Sequence, residues 1–189
     1  MIHRSLAGIV LFGLASAAPM SAQRATAAPG SARAVAQRTL AALAARNPDG
    51  FAREASPQDL AAFRAQLLPN LKQAMDGKQR PEVLAMFAPA KSYEEIEKLP
   101  AERVFALYLG AVMKRVASAG PLQIQNTILG EVPEGDSLVH IVYRQRVKSG
   151  ASSANNVTLL SLRRTPGGWK VVLEAGQLGM GGPQQGPPR

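Results

Sequence analysis

The chain contains no cysteine, and that absence removes more chemistry than most of its residues add. Disulfides, iron–sulfur clusters, thiolate zinc sites, thiol catalysis and a lipidated cysteine anchor all need a sulfur that is not there. Histidine is almost missing as well: His3 lies in the leader described below, and His140 stands alone in the remainder. A single imidazole without thiolates assembles no zinc site. Aromatic residues make up 5% of the chain, too few for a stacking platform along single-stranded nucleic acid. Acidic residues are the minority charge, 13 against 22 Lys and Arg, leaving a formal net charge of +9.

What is present begins with a leader. Met1-Ile2-His3-Arg4 is a short basic start, Leu6 to Leu14 is apolar, and Ala15 to Ala22 is rich in small residues. This is the layout of a cleaved secretory peptide, whose apolar part is too short to anchor in a bilayer. Residues 1–22 are therefore expected to be a signal peptide and 23–31 a flexible lead. The expected location is the periplasm or the exterior, without a lipid anchor. Roughly 165 residues remain, enough for one domain that buries about two thirds of its unfolded surface. Export turns the basic balance away from nucleic acid and toward anionic lipid headgroups or acidic envelope polymers. The plain alternative is that the charge serves solubility.

Residues 32–175 read as a single α+β domain. Ala36, Leu40 and Leu43 share a helical face up to Arg46, and Asn47-Pro48-Asp49-Gly50 is expected to stop that helix. Ser56-Pro57-Gln58-Asp59 is a helix start, with a capping serine, proline in the first turn and an acid at the positive end. Leu60, Phe63 and Leu67 follow on one face, and Pro69 is expected to break or restart the helix. A short helix is expected over Pro81 to Phe87. Ser92-Tyr93-Glu94-Glu95 has capping-box spacing. Ala101 to Val116 is the strongest helix, apolar nearly all round from Val104 to Met113 and so expected to be covered on most sides.

After Gly120-Pro121 the period changes to alternation. Leu122 to Ile128, Val139 to Val147, Val157 to Arg164 and Trp169 to Glu174 read as a four-stranded antiparallel meander, the last pair joined at Thr165-Pro166-Gly167-Gly168. Placing Arg164 opposite Trp169 sets Leu162 against Val171 and Leu160 against Leu173. Tyr143 is then expected opposite Leu160, Ile141 opposite Leu162, and Ile128 opposite Val139. This register gathers nearly all the large apolar side chains on one face, and the helices must cover it. Gly176 to Arg189 is a Gly/Pro/Gln tail, expected to be disordered.

Three stretches, Leu40 to Phe51, Gly135 to Tyr143 and Gly167 to Val172, give the chain its family likeness: it resembles the nuclear transport factor two-like superfamily. That resemblance implies N-terminal helices packed on a curved four-stranded antiparallel meander, a cone-like fold of the cystatin or nuclear-transport-factor-two-like kind. Members include isomerases, dehydratases and cyclases as well as binding modules. The enzymes among them commonly use Asp and His inside the cone. Here no Asp falls on the inferred inward face, and His140 points outward.

No catalytic residue, metal ligand set or cofactor site is assigned. Glu94, Glu95 and Glu97 read as a solvated helix start. Gly150-Ala151-Ser152-Ser153-Ala154 has the look of a nucleophile elbow but lies between two strands, where a flexible hairpin loop is the simpler reading. The candidate ligand pocket is Tyr108 from the long helix with Asn126 and Tyr143 from the sheet, a few polar groups in an apolar surround. Asn126 read structurally is a bulge or a satisfied core polar pair. The candidate anion-binding surface is His140, Arg144, Arg146 and Arg163 on the outer sheet face. Val142, Val157 and Leu159 share that face, which points to a homodimer contact there. Arg164 and Trp169 are placed for a cation–π pair. These features together describe an exported, non-catalytic domain that binds a small apolar ligand or an envelope protein. The alternatives are an acid–base enzyme of the isomerase or dehydratase kind using Tyr108, Tyr143 and Asn126, and peripheral association with anionic lipid or polymer.

Overall fold

Ser31 opens the first helix by accepting a hydrogen bond from the Ala34 N–H, and Asn47, Ser56 and Ser92 accept from backbone N–H groups in the same way at three later helix starts. A computed structural model describes residues 28, 30–118, 120, 122–150 and 152–173. The signal-peptide expectation, most of the flexible lead and the tail expectation lie outside these residues. Six helices precede four strands, an α+β order. They are α1 (Ala32–Ala44), α2 (Pro48–Glu54), α3 (Pro57–Asp76), α4 (Arg80–Met86), α5 (Tyr93–Glu97) and α6 (Ala101–Ser118). The strands are β1 (Leu122–Glu134), β2 (Leu138–Ser149), β3 (Ser152–Thr165) and β4 (Gly168–Val171). The sheet is antiparallel in the order β1-β2-β3-β4, the expected meander.

Two expectations about helix punctuation are corrected. Asn47-Pro48-Asp49-Gly50 ends α1 but also starts α2: Asn47 Oδ1 accepts from the Gly50 N–H at 2.9 Å, and Pro48 takes the first turn. The chain reverses at Arg46, with φ of 54°. Pro69 does not break α3. It removes one ladder bond, while the buried residues Leu67, Leu68, Leu71 and Met75 continue on both sides of it. Their burial outweighs a single lost bond.

The α6 expectation is corrected too. Val104, Phe105 and Ala106 are buried, but Val112 and Val116 are 40% and 48% exposed. Neighbouring helices α2, α3 and α4 reach only part of α6. Phe105 meets Phe51 of α2 at 5.7 Å and Phe63 of α3 edge-on at 5.1 Å between ring centroids. Among the described residues no helix is long and apolar enough to cross a membrane.

Helix α1 is the seam between the layers and touches all four strands. Val35, Ala36 and Leu40 supply its buried stripe. Thr39, fully buried among them, donates its hydroxyl to the Val35 carbonyl at 2.9 Å, so no polar atom is stranded. The inner sheet face contributes Val139, Ile141, Tyr143, Leu160, Leu162 and Val171, all buried. The β4 strand docks on the helices through the Ser56 N–H, which donates to the Val171 carbonyl at 2.8 Å.

The β3–β4 register is as expected for Arg164 with Trp169 and Leu162 with Val171. Leu173 is not a strand residue; its N–H donates to Asp59 Oδ2 at 3.0 Å. The other two registers slip. Ile141 faces Leu160 and Val139 faces Leu162, because Ser152 to Ala154 belong to β3 and a tight turn at Gly150 (φ 56°) replaces the expected loop. Ile128 faces Tyr143, not Val139, because β1 runs on to Glu134 before turning at Gly135 (φ 63°). Both slips are even, so every side chain before Leu129 keeps its expected face. At Leu129 a bulge inserts one residue, and beyond it the faces exchange. Glu131 thereby turns inward, toward Arg33 of α1, at 3.0 Å.

Candidate functional site

Where the apolar rows of the inner sheet face end, two mixed rows begin. Asn126, Gln145 and Asn156 lie side by side across β1, β2 and β3, and Ile128, Tyr143 and Thr158 form the next row. Beside these rows the described structure holds a cleft of about 420 Å³. Leu43 of α1, Phe51 of α2 and Leu109 of α6 form its helical wall, while Leu160, Val171 and Leu173 continue it on the sheet side. Its polar groups are the Tyr143 phenol, the Gln145 and Asn156 amides and the Thr158 hydroxyl. None of the residues lining it carries a charge.

Burial pushes the Tyr143 phenol above its usual range, so it stays protonated at neutral pH. It is therefore a hydrogen-bond donor rather than a base. The cleft volume falls in the range of small-molecule sites, and a mostly apolar wall with a few neutral polar groups is their usual composition. This arrangement suits an uncharged ligand, since it offers no partner for a buried ion.

Of the three expected pocket residues, Tyr143 alone is among the residues lining this cleft. Tyr108 stands in the helical layer, half-buried, with its ring edge-on to Phe63 at 5.3 Å. Asn126 is held by both ends of its amide: Nδ2 donates to the Leu40 carbonyl at 3.1 Å, and Oδ1 accepts from Gln145 Nε2 at 3.4 Å. Asn126 is thus a satisfied core amide that ties β1 to α1 and orients Gln145. Gln145, Asn156 and Thr158 were not singled out from the sequence. The signal for Gln145 was its inward parity with Tyr143, and the other two needed the true β2–β3 register.

The outer face carries His140, Arg144, Arg146 and Arg163, all on one side as expected. They form a stripe, not a cluster. Arg163 pairs with Leu138, so Arg146 lies eight β2 positions away, about 27 Å at strand rise. His140 is already engaged: Nδ1 lies 3.0 Å from Ser161 Oγ, and Nε2 lies 2.8 Å from Glu134 Oε2. Among the described residues Arg144, Arg146 and Arg163 have no carboxylate partner. Leu129, Val132, Val157 and Leu159 on the sheet are between 46% and 60% exposed. Arg164 stacks over Trp169 at 5.9 Å from the ring centroid, the expected cation–π pair at the sheet end. Among the described residues no group of three His, Cys, Asp or Glu gathers as a metal site. No family model and no curated protein sequence matches this chain.

Proposed function

We propose that this chain is a non-catalytic binding domain that takes a small, uncharged, apolar ligand into the cleft between α1, α6 and the sheet. The observation that carries the reading is the cleft itself: about 420 Å³, walled by Leu43, Phe51, Leu109 and Leu160, with four neutral polar groups and no charge. The ligand's apolar body lies against the helical wall, and the Tyr143 phenol and Gln145 amide orient whatever polar group it has. The leader expected over residues 1–22 supports a periplasmic or extracellular setting for this binding. The acid–base alternative has less support, because Tyr108 and Asn126 are not among the residues lining the cleft and no carboxylate or imidazole lines it to act as a base.

The test is titration of the purified protein with the uncharged fluorophore N-phenyl-1-naphthylamine, alongside native mass spectrometry for a carried-over molecule. Saturable binding is expected, and Leu109→Arg, which fills the cleft with a charge, weakens it at least about tenfold. Val112→Arg on an exposed turn of the same helix leaves it unchanged. Absence of saturable binding, or binding indifferent to Leu109→Arg, refutes the reading.

A second reading rests on the outer stripe. Arg144 and Arg146 lack carboxylate partners among the described residues, which suits contact with anionic lipid or an acidic envelope polymer. Retention on anionic vesicles that disappears at high salt supports it; retention equal at low and high salt sinks it.

A further inference from the structure

One side of β3 carries backbone groups that no described residue takes up. The β4 strand pairs only with Leu162–Thr165, so among the described residues Ser152–Leu160 has a strand neighbour, β2, on one side alone. The Val172 N–H donates to the Ser161 carbonyl at 2.9 Å, which fixes the direction of the Ser161 peptide groups. These directions alternate along a strand, so Leu159, Val157 and Asn155 present their N–H and C=O groups to the same open side. An exposed edge of this kind is ordinarily blunted by charge, proline or a bulge. Ser152 to Leu160 contains no charged residue and no proline, and its pairing with β2 runs without a bulge.

We infer that this edge joins a second copy of the chain, β3 against β3, about a two-fold axis that makes one continuous sheet. The strand is complementary to itself. An axis through Val157 sets Val157 against its own copy, Asn155 against Leu159, Asn156 against Thr158 and Ala154 against Leu160. Every opposed pair is uncharged, and the Asn–Thr pairs hydrogen-bond across the axis. Val157 and Leu159, 60% and 48% exposed in one copy, gain cross-strand neighbours.

Charge decides against stacking the outer faces instead. Face-to-face packing puts the Arg144, Arg146 and Arg163 stripes of both copies into one gap of about 10 Å between sheets. Edge pairing separates the two β2 strands, which carry Arg144 and Arg146, by three strand spacings. That distance is about 14 Å, beyond the screening length of about 8 Å at physiological salt. The added strand also runs along the cleft rim at Asn156 and Thr158 and closes it on that side. The inference does not depend on whether the cleft holds a ligand.

Sedimentation velocity of the purified protein across the micromolar range tests it. A reversible monomer–dimer equilibrium is expected. Val157→Lys, a surface change, and Val157→Pro, which deletes one edge N–H and no β2 ladder bond, each weaken it at least about tenfold. Val132→Lys, on the outer face at the opposite side of the sheet, leaves it unchanged. Urea midpoints confirm that the variants are folded, and the fluorophore titration of Val157→Lys reports on the cleft separately. A monomer at every concentration overturns the inference. So does a dimer that survives both Val157 variants, or one abolished equally by Val132→Lys. A protein that dimerises only once residues 174–189 are deleted overturns it as well, by assigning the edge to that segment.

Discussion

At its β1 edge the sheet bulges at Leu129 and places Glu131, Pro133 and Glu134 along the strand end. Arg33 holds Glu131 at 3.0 Å, and Arg46 Nη2 donates to the Leu122 carbonyl at 2.9 Å. At its β3 edge, Ser152 to Leu160 has none of these devices. The two strands are similar in length and lie on either side of β2, so burial by the sheet does not explain the contrast. The β1 edge is finished: its ladder direction is bent, its donors are interrupted by proline, and like-charged side chains repel an incoming strand. The β3 edge is a straight, neutral template beside an apolar cleft. The difference teaches that pairing within one sheet can be terminated on one side and left available on the other by residues that change little in the core.

Four measurements break or sharpen that contrast. The largest effect is expected inside β3, where Leu162 is fully buried and Val157 is 60% exposed. Leu162→Ala is expected to cost about 3 kcal/mol in urea unfolding, and Val157→Ala to stay within about 0.5 kcal/mol. Equal costs for the two would show that the outward side of β3 is covered within a single copy. Deleting Leu129 comes next. It erases the bulge while leaving Glu131 opposite Ile141 and Pro133 opposite Val139, for an expected loss of about 1 kcal/mol. It also straightens the β1 edge, so association through that edge should appear in sedimentation. A variant as stable and as monodisperse as the parent means the bulge is not what finishes β1.

Gly135→Ala probes how β1 acquires its register. Gly135 has φ of 63°, where a Cβ is strained although no atom lies within 4 Å of it. The expected loss is about 1 kcal/mol. No change in midpoint would show that the turn tolerates another backbone conformation. The smallest effect concerns Tyr143, which lies between the edges opposite Ile128 and Thr158. Burial raises its phenol above 10.0 in the fold. Its contribution is therefore fully present below the unfolded value and is lost as pH rises through the folded one. The urea midpoint should fall as pH rises past the ordinary tyrosine range, and Tyr143→Phe should flatten that fall. Identical pH profiles would mean that the phenol is not the group responsible.

Local signals in the sequence reached as far as local physics does. Ser31, Ser56 and Ser92 each accept a backbone N–H at a helix start, as their positions before helical runs foretold for Ser56 and Ser92. The period-two alternation gave the face of the strand residues it covered before Leu129 and along β2 and β3, and the Gly167-Gly168 turn set Arg164 opposite Trp169. Of the candidate site, Tyr143 was legible because an inward tyrosine amid valine and isoleucine breaks an apolar row. Asn126 was noticed for the same reason, but only its bond to the Leu40 carbonyl shows that it is already satisfied.

What the sequence by itself determined is therefore that helices precede a four-stranded meander, the starts of α1, α3, α5 and α6, and the side of the sheet on which each residue lies before Leu129, since caps and alternation act over a few residues. Tertiary structure decided the rest. Pro69 stays helical because burial on both sides outweighs one missing bond. His140 meets Glu134 and Ser161 only through pairing with strands that come from elsewhere in the chain. The cleft forms where α1, α2 and α6 meet the end of β4, and among the described residues Ser152–Leu160 has no strand partner beyond β2 because β4 is shorter than β3. Those are consequences of packing between distant segments, and no local pattern encodes them.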